Sequence, residues 1–234
     1  MSALAKSSAQ SERSLSSALL RRSSEQARRS AGEALDAAYA GEPCEVVLED
    51  GTIQALPVRR WQDDADASDH ELFVRPAGGD VLDVGCGPGR LTYANAVAGA
   101  RATGIDVSHE AVRQTRARGA NALLHDVFES LPGRWNHVLL ADGNVGIGGE
   151  PGRLLRRCAE LVHEGGRVLA EVSGYGGVER HVLRLRVGGD LSEAYAWATV
   201  GVDAIGALAM SAGLRVEDIA SVAGRTVAVL TRAV

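Results

Sequence analysis

Four aspartates at or near the ends of short apolar runs carry most of the chemistry this chain can do: Asp83, Asp106, Asp126 and Asp142. The first belongs to Asp80-Val81-Leu82-Asp83-Val84-Gly85-Cys86-Gly87-Pro88-Gly89-Arg90-Leu91, where glycines alternate with other residues after the apolar run. This pattern reads as a buried strand, a tight turn and a helix start. Glycine tolerates positive φ and has no Cβ to hold a ligand away. The backbone can then approach a bound molecule, with the N–H groups of a helix N-terminus facing it. Asp106, ending Ala102-Thr103-Gly104-Ile105-Asp106, follows Gly85 at about the twenty-residue spacing of a nucleotide-binding β-α-β unit. A hydrogen bond to such a carboxylate contributes about 1.5–3 kcal/mol.

Val81-Leu82-Asp83-Val84-Gly85-Cys86-Gly87-Pro88-Gly89 resembles the first motif of class I S-adenosylmethionine (SAM)-dependent methyltransferases, and the likeness extends over roughly Val81 to Gly166. The resemblance implies a SAM cofactor and a small-molecule methyl acceptor. It runs the turn of Gly85, Cys86, Gly87 and Gly89 beneath the methionine part of SAM, with Asp83 facing its ammonium group. It sets Asp106 and Val107 at the ribose, Asp126 and the Val127 N–H at the adenine, and Ala141 beside the cofactor at the end of the fourth strand. Cys86 is read as a small filler, because nothing near it in sequence lowers its pKa.

Ala141-Asp142-Gly143-Asn144-Val145-Gly146-Ile147-Gly148-Gly149 ends that fourth strand, where a class I enzyme presents the methyl group. Asp142 and Asn144 are the catalytic candidates: either can orient a nucleophile, and Asp142 can take its proton. The alternative is a loop that uses Asp and Asn for their bonds to its own backbone. Methyl transfer asks chiefly for alignment of nucleophile, methyl carbon and sulfur. The Asn/Asp-Pro-Pro-aromatic motif of many amino-methylating enzymes is missing. Glu171 and Ser173, after the fifth strand, are pocket candidates, while His125 and His137 are weaker candidate bases. Trp61 reads equally as a pocket wall or a core aromatic.

Two rival readings use the same residues. A NAD-dependent oxidoreductase also has a glycine turn and a distant acid, but Arg90 stands where Gly-x-Gly-x-x-Gly requires its last glycine. Lys6 is the only lysine, which removes the Walker-type loop, the Schiff base and the Tyr-x-x-x-Lys pair. A non-catalytic SAM-binding protein is the other rival. The net charge of −5 gives no basic field for nucleic acid, and no apolar run is long enough to span a membrane. Three widely spaced cysteines, Cys44, Cys86 and Cys158, point to a reducing, cytoplasmic setting with no disulfide framework and no metal site.

The elements that position these residues follow from the pattern of strands and helices. Alternation from Asp80 onward predicts an α/β fold with a doubly wound, mostly parallel sheet, and the resemblance implies that the C-terminal hairpin of Leu214–Val222 and Thr226–Thr231 joins it antiparallel to make seven strands. Residues 77–234 form this domain. Residues 31–76 form an N-terminal helix and β-hairpin cap, with Asp50-Gly51 as the hairpin turn. Ser68 is expected to cap a short helix ending near Val74, and Gly165 to close the helix opened by Pro151. Residues 1–30, rich in Ser, Arg and Ala, read as a flexible extension. A transit-peptide reading is weakened by Glu12 and Glu25. A hairpin beginning at His181, around Gly188-Gly189-Asp190, is an added element that can serve as a lid.

Overall fold

The computed structural model describes residues 28–75 and 79–233, so the predicted extension lies almost wholly outside the described residues. The first helix, α1 (Ala31–Tyr39), starts at a reciprocal cap. The Ser30 Oγ accepts the Glu33 N–H at 3.2 Å and the Glu33 carboxylate accepts the Ser30 N–H at 2.7 Å. Strands β1 (Cys44–Val47) and β2 (Ile53–Ala55) pair antiparallel around Asp50-Gly51, and Gly51 takes the positive φ of 84° that the turn needs. Two short helices follow, α2 (Val58–Gln62) and α3 (Ala67–Phe73). Ser68 does not cap α3. Asp66 does, because its carboxylate accepts both the Asp69 N–H at 2.9 Å and the Ser68 hydroxyl at 2.6 Å, which draws Ser68 into the first turn.

Next come β3 (Asp80–Val84), α4 (Arg90–Val97), β4 (Arg101–Asp106), α5 (His109–Ala117), β5 (Asn121–Leu124), β6 (Trp135–Leu140), a 3-10 segment (Asn144–Gly149), α6 (Pro151–Leu161) and β7 (Val162–Val172). The helix α6 ends at Leu161, ahead of Gly165. Val162 is already extended and pairs with Trp135, so Gly165, at φ 76°, bends a strand and does not close a helix. After β8 (Val178–Val187), β9 (Asp190–Leu191), β10 (Tyr195–Val200) and α7 (Ile205–Ser211), the chain finishes in the expected hairpin, β11 (Leu214–Val222) and β12 (Arg225–Arg232).

The main sheet has seven strands in the order β11-β12-β7-β6-β3-β4-β5. Pairing is parallel from β7 to β5, while β12 runs antiparallel to both β7 and β11. One face is packed by Leu72 and Phe73 of α3 and Leu91 of α4 against Val81, Leu139, Leu169 and Val227. The other is packed by Leu154, Leu155 and Cys158 of α6 and Ile205 and Ala209 of α7. Both faces are covered, so β3 is buried along Val81–Val84, the carboxylate of Asp83 included.

The second sheet is the feature that sequence alone did not reveal. The N-terminal hairpin and the hairpin from His181 join edge to edge, in the order β10-β8-β1-β2 with β9 on β8. Val46 pairs with Leu185, and α1 packs Ala34 against Leu185 and Val187. The cap therefore draws on residues 178–200 as well as on the N-terminal segment.

Candidate functional site

The chain passes from β3 outward to β4 and β5, then returns to place β6 and β7 on the other side of β3. This reversal opens a crevice at the carboxyl ends of β3 and β6, the usual ligand position in an open α/β sheet. The glycine turn leaves β3 on one side of it and the Asp142 loop leaves β6 on the other.

Gly85, Gly87 and Gly89 have φ of 67°, 52° and 87°, in the left-handed region open to glycine. Packing also excludes side chains here. A Cβ on Gly85 would fall 2.7 Å from the Asn144 Nδ2, and one on Gly89 would fall 2.6 Å from the Thr115 Oγ1. Cys86 is buried and its thiol is pushed far up by burial, which suits the filler role and not a reactive one. It occupies the space over Gly104, where a Cβ would stand 2.6 Å from its Sγ. Gly104 is thus part of the turn's support, although its only sequence signal was a glycine inside a strand.

Asp106 is nearly buried, and its carboxylate accepts the N–H groups of Gly87 and Ser108, each at 2.9 Å. Burial pushes its pKa up while these N–H groups pull it down. The carboxylate thereby fixes the glycine turn relative to the end of β4 and leaves Val107 half-exposed beside it. Asp83 is 3% exposed and accepts the Thr92 hydroxyl at 2.7 Å. Asp126 is exposed and accepts the Phe128 N–H at 2.9 Å in a local turn, while Val127 is buried. His125 lies beside that turn, and His137 sits within β6, where burial lowers its pKa.

Asp142 and Asn144 come together at the crevice as expected from sequence, but their polar atoms are already engaged. Asn144 donates to the carbonyls of Val84 and Gly85 at 2.8 and 3.0 Å, so it staples the fourth-strand loop to the glycine turn. Asp142 has a positive φ of 51°, and its carboxylate is paired with Arg90 and Arg225. Its own N–H donates to Glu171 at 2.6 Å. Burial pushes the Asp142 carboxyl up, and the two arginines pull it back. Asp69 pairs with both Arg90 and Arg225, and Glu171 holds Arg225 at 2.7 Å. This network of Asp69, Arg90, Asp142, Glu171 and Arg225 draws on five separate elements or loops. No spacing in the sequence links them.

The Asp142 loop also forms one side of a cavity of about 210 Å³, lined by Gly143, Val145, Glu171, Ser173, Trp197 and Thr199 among others. Glu171 and Ser173 reach it as the sequence suggested. Trp197 and Thr199 come from β10, which crosses the 3-10 segment so closely that a Cβ on Gly146 would fall 1.9 Å from the Ala198 carbonyl oxygen. The cap's other arm, α1, lies over the glycine turn and the start of α5. Asp36 accepts the Ser108 hydroxyl at 2.6 Å and the Glu110 N–H at 2.8 Å, and the Tyr39 hydroxyl lies 3.3 Å from where a Gly87 Cβ would stand. Trp61 is half-buried against Tyr39, edge to face, with ring centroids 6.3 Å apart.

Residues 81–166, which hold the glycine turn, Asp106 and the Asp142 loop, match the family model described as a methyltransferase domain. Those residues are similar to a methyltransferase domain. The curated ubiquinone biosynthesis O-methyltransferase of Bordetella bronchiseptica is 32% identical over 101 residues, 39% of this chain and 42% of that protein. The trans-aconitate 2-methyltransferase of Paracidovorax citrulli is 34% identical over 117 residues, 46% and 45% of the two chains. The chain thus spans less than half the length of these curated relatives. A solved SAM-dependent methyltransferase from Bacteroides fragilis, in complex with S-adenosylhomocysteine, superposes with a TM-score of 0.71 at 19% identity, covering 87% of this chain and 94% of its own. That likeness is one of fold. The match ends within β7, so β10, which walls the cavity with Trp197, lies outside the matched residues.

Proposed function

We propose that the protein is a SAM-dependent methyltransferase that transfers a methyl group to a small-molecule acceptor held in the cavity beside Gly143 and Trp197. The observation that carries the reading is the crevice between β3 and β6, where a positive-φ glycine turn and a nearly buried Asp106 stand opposite the Asp142 loop. The residues fit the cofactor. The turn of Gly85, Cys86, Gly87 and Gly89 would carry its methionine part, Asp83 would serve its ammonium group, and the free lone pairs of Asp106 would serve its ribose hydroxyls. Asp126 and Val127 stand at the adenine end, and Val107 and Ala141 complete the lining. When bound, SAM supplies an electrophilic methyl group. The protein aligns the acceptor with it and keeps water out, and that alignment can account for much of the rate.

In this reading Asp142 and Asn144 act by position. Asn144 fixes the spacing between the two loops, and Asp142, with its carboxylate committed to Arg90 and Arg225, holds the acceptor side of the crevice open. The similarity to a ubiquinone biosynthesis O-methyltransferase and a trans-aconitate 2-methyltransferase supports a small acceptor, and the first of these supports attack through oxygen. The test is Asp106→Ala, with binding of S-adenosylhomocysteine followed by calorimetry. The mutant is expected to fold and to bind at least tenfold more weakly, since two charge-assisted hydrogen bonds are lost at about 1.5–3 kcal/mol each. Unchanged affinity in a folded mutant would remove Asp106 from the cofactor site.

A further inference from the structure

We propose that Arg225, on the C-terminal hairpin and outside the matched methyltransferase domain, is a positioning residue that sets the acceptor side of the crevice by holding the Asp142 turn. The proposal rests on the reading of this crevice as a methyl-transfer site. Arg225 opens β12, the antiparallel strand inserted next to β7. Its guanidinium lies over the ring of Phe73, 5.3 Å from the centroid. From there it reaches three segments far apart in sequence. Its Nε and Nη2 donate to the two Glu171 carboxylate oxygens at 2.8 and 2.7 Å, as a two-pronged fork. The same Nη2 lies 3.4 Å from Asp142 Oδ1, and Nη1 donates to Asp69 of α3.

The target of this grip is strained. Asp142 is one of two non-glycine residues with positive φ among the described residues, and Gly143 follows at φ 80°. A non-glycine residue in that region persists only where its surroundings over-determine it. Here the surroundings are Glu171, which accepts the Asp142 N–H, and the two arginines on its carboxylate. Arg225 binds both Glu171 and Asp142, so it holds the backbone contact and the side-chain contact together. The turn then leads directly into the 3-10 segment, whose Gly146 packs against Trp197 and Ala198 of the cavity wall. Arg60 stands farther off, 3.9 Å from Asp69 and from Asp142, and cannot replace the fork.

The geometry makes Trp197 a reporter of the turn. The test is fluorine NMR of protein labelled with 5-fluorotryptophan, in which the three tryptophan signals, Trp61, Trp135 and Trp197, are assigned by single Trp→Phe variants. In Arg225→Met the Trp197 signal is expected to shift or broaden while that of Trp135, in the core at the start of β6, stays in place. Glu171→Gln, which removes the carboxylate the fork grips, is expected to move the same signal. Arg225→Lys keeps the charge without the fork and should fall between Met and the parent. An unmoved Trp197 signal in folded Arg225→Met and Glu171→Gln would overturn the proposal, as would equal shifts of all three tryptophans, which mark a general loss of packing. If Arg225→Met fails to fold, Glu171→Gln and Arg225→Lys decide it by the same signals. Binding of S-adenosylhomocysteine to the parent, measured on the same sample, tests the methyl-transfer reading separately, because the Trp197 response does not depend on it.

Discussion

Asn144 ties the loop after the fourth parallel strand to the glycine turn after the first, its amide nitrogen 2.8 Å from the carbonyl of Val84 and 3.0 Å from that of Gly85. The two walls of the crevice are therefore one mechanical unit. A change on either side is felt on the other.

The first expected outcome follows from this tie. Asn144→Ala leaves the Val84 carbonyl, at the end of a buried strand, without its side-chain donor. The predicted loss of stability is roughly 1–3 kcal/mol, with weaker S-adenosylhomocysteine binding in parallel. Thermal melting and calorimetry on the same mutant check it. A normal melting temperature together with normal affinity would show that the staple contributes nothing.

Asp36 is the corresponding tie for the cap. It accepts from the Ser108 hydroxyl and from the Glu110 N–H at the start of α5, next to Val107. Such a carboxylate at a helix N-terminus contributes about 1 kcal/mol. Asp36→Ala should lower stability by that amount and speed proteolysis within α1. Limited proteolysis with and without S-adenosylhomocysteine reads it out, and the ligand is expected to restore protection. Protection equal to the parent's in the unliganded mutant would show that α1 is held by its apolar face alone.

Asp83 links the cofactor site to pH. Burial pushes its carboxyl from the ordinary 3.8 up to about 6, against the Thr92 hydrogen bond and the nearby Arg90 charge, with Asp142 and Asp106 adding to the rise. A carboxyl with a raised folded pKa keeps its proton longer in the folded state. The cofactor-free protein should lose stability as pH climbs through this window and level off above it. A cation beside Asp83 favours the ionised form, so SAM affinity should rise over the same window, with release of a proton on binding. Calorimetry in buffers of different ionisation enthalpy measures that proton, and Asp83→Asn should abolish its release. A proton uptake, or no change in Asp83→Asn, would place the cation elsewhere.

The glycine turn and the acid beside it were legible in the sequence because their signals are local. Alternate glycines need positive φ, and an acid closing a short strand at the right spacing falls beside them. The main sheet was legible for the same reason, from strand and helix periods and from the C-terminal hairpin. The cap sheet was not, because pairing of β1 with β8 depends on two edges separated by more than a hundred residues meeting in space. Each hairpin's own signal was present without any sign of its partner. The buried charges were hidden in a similar way. Arg90 read only as the residue that breaks a NAD motif, and Arg225 as an unremarked strand end. Ion pairing among Asp69, Arg90, Asp142, Glu171 and Arg225 is a product of the fold, and it changes Asp142 from a candidate base with free lone pairs to a carboxylate with two cationic partners. Ser68 was misplaced as a cap because Asp66, two residues earlier, is the stronger acceptor.

The most direct measurement of the central claim is calorimetric titration of the purified full chain with SAM, S-adenosylhomocysteine and NAD. One saturable site is expected for each of the first two, with competition between them, and no heat from NAD, because buried Arg90 stands where a dinucleotide turn needs glycine. Binding of NAD with no binding of SAM or S-adenosylhomocysteine would contradict it.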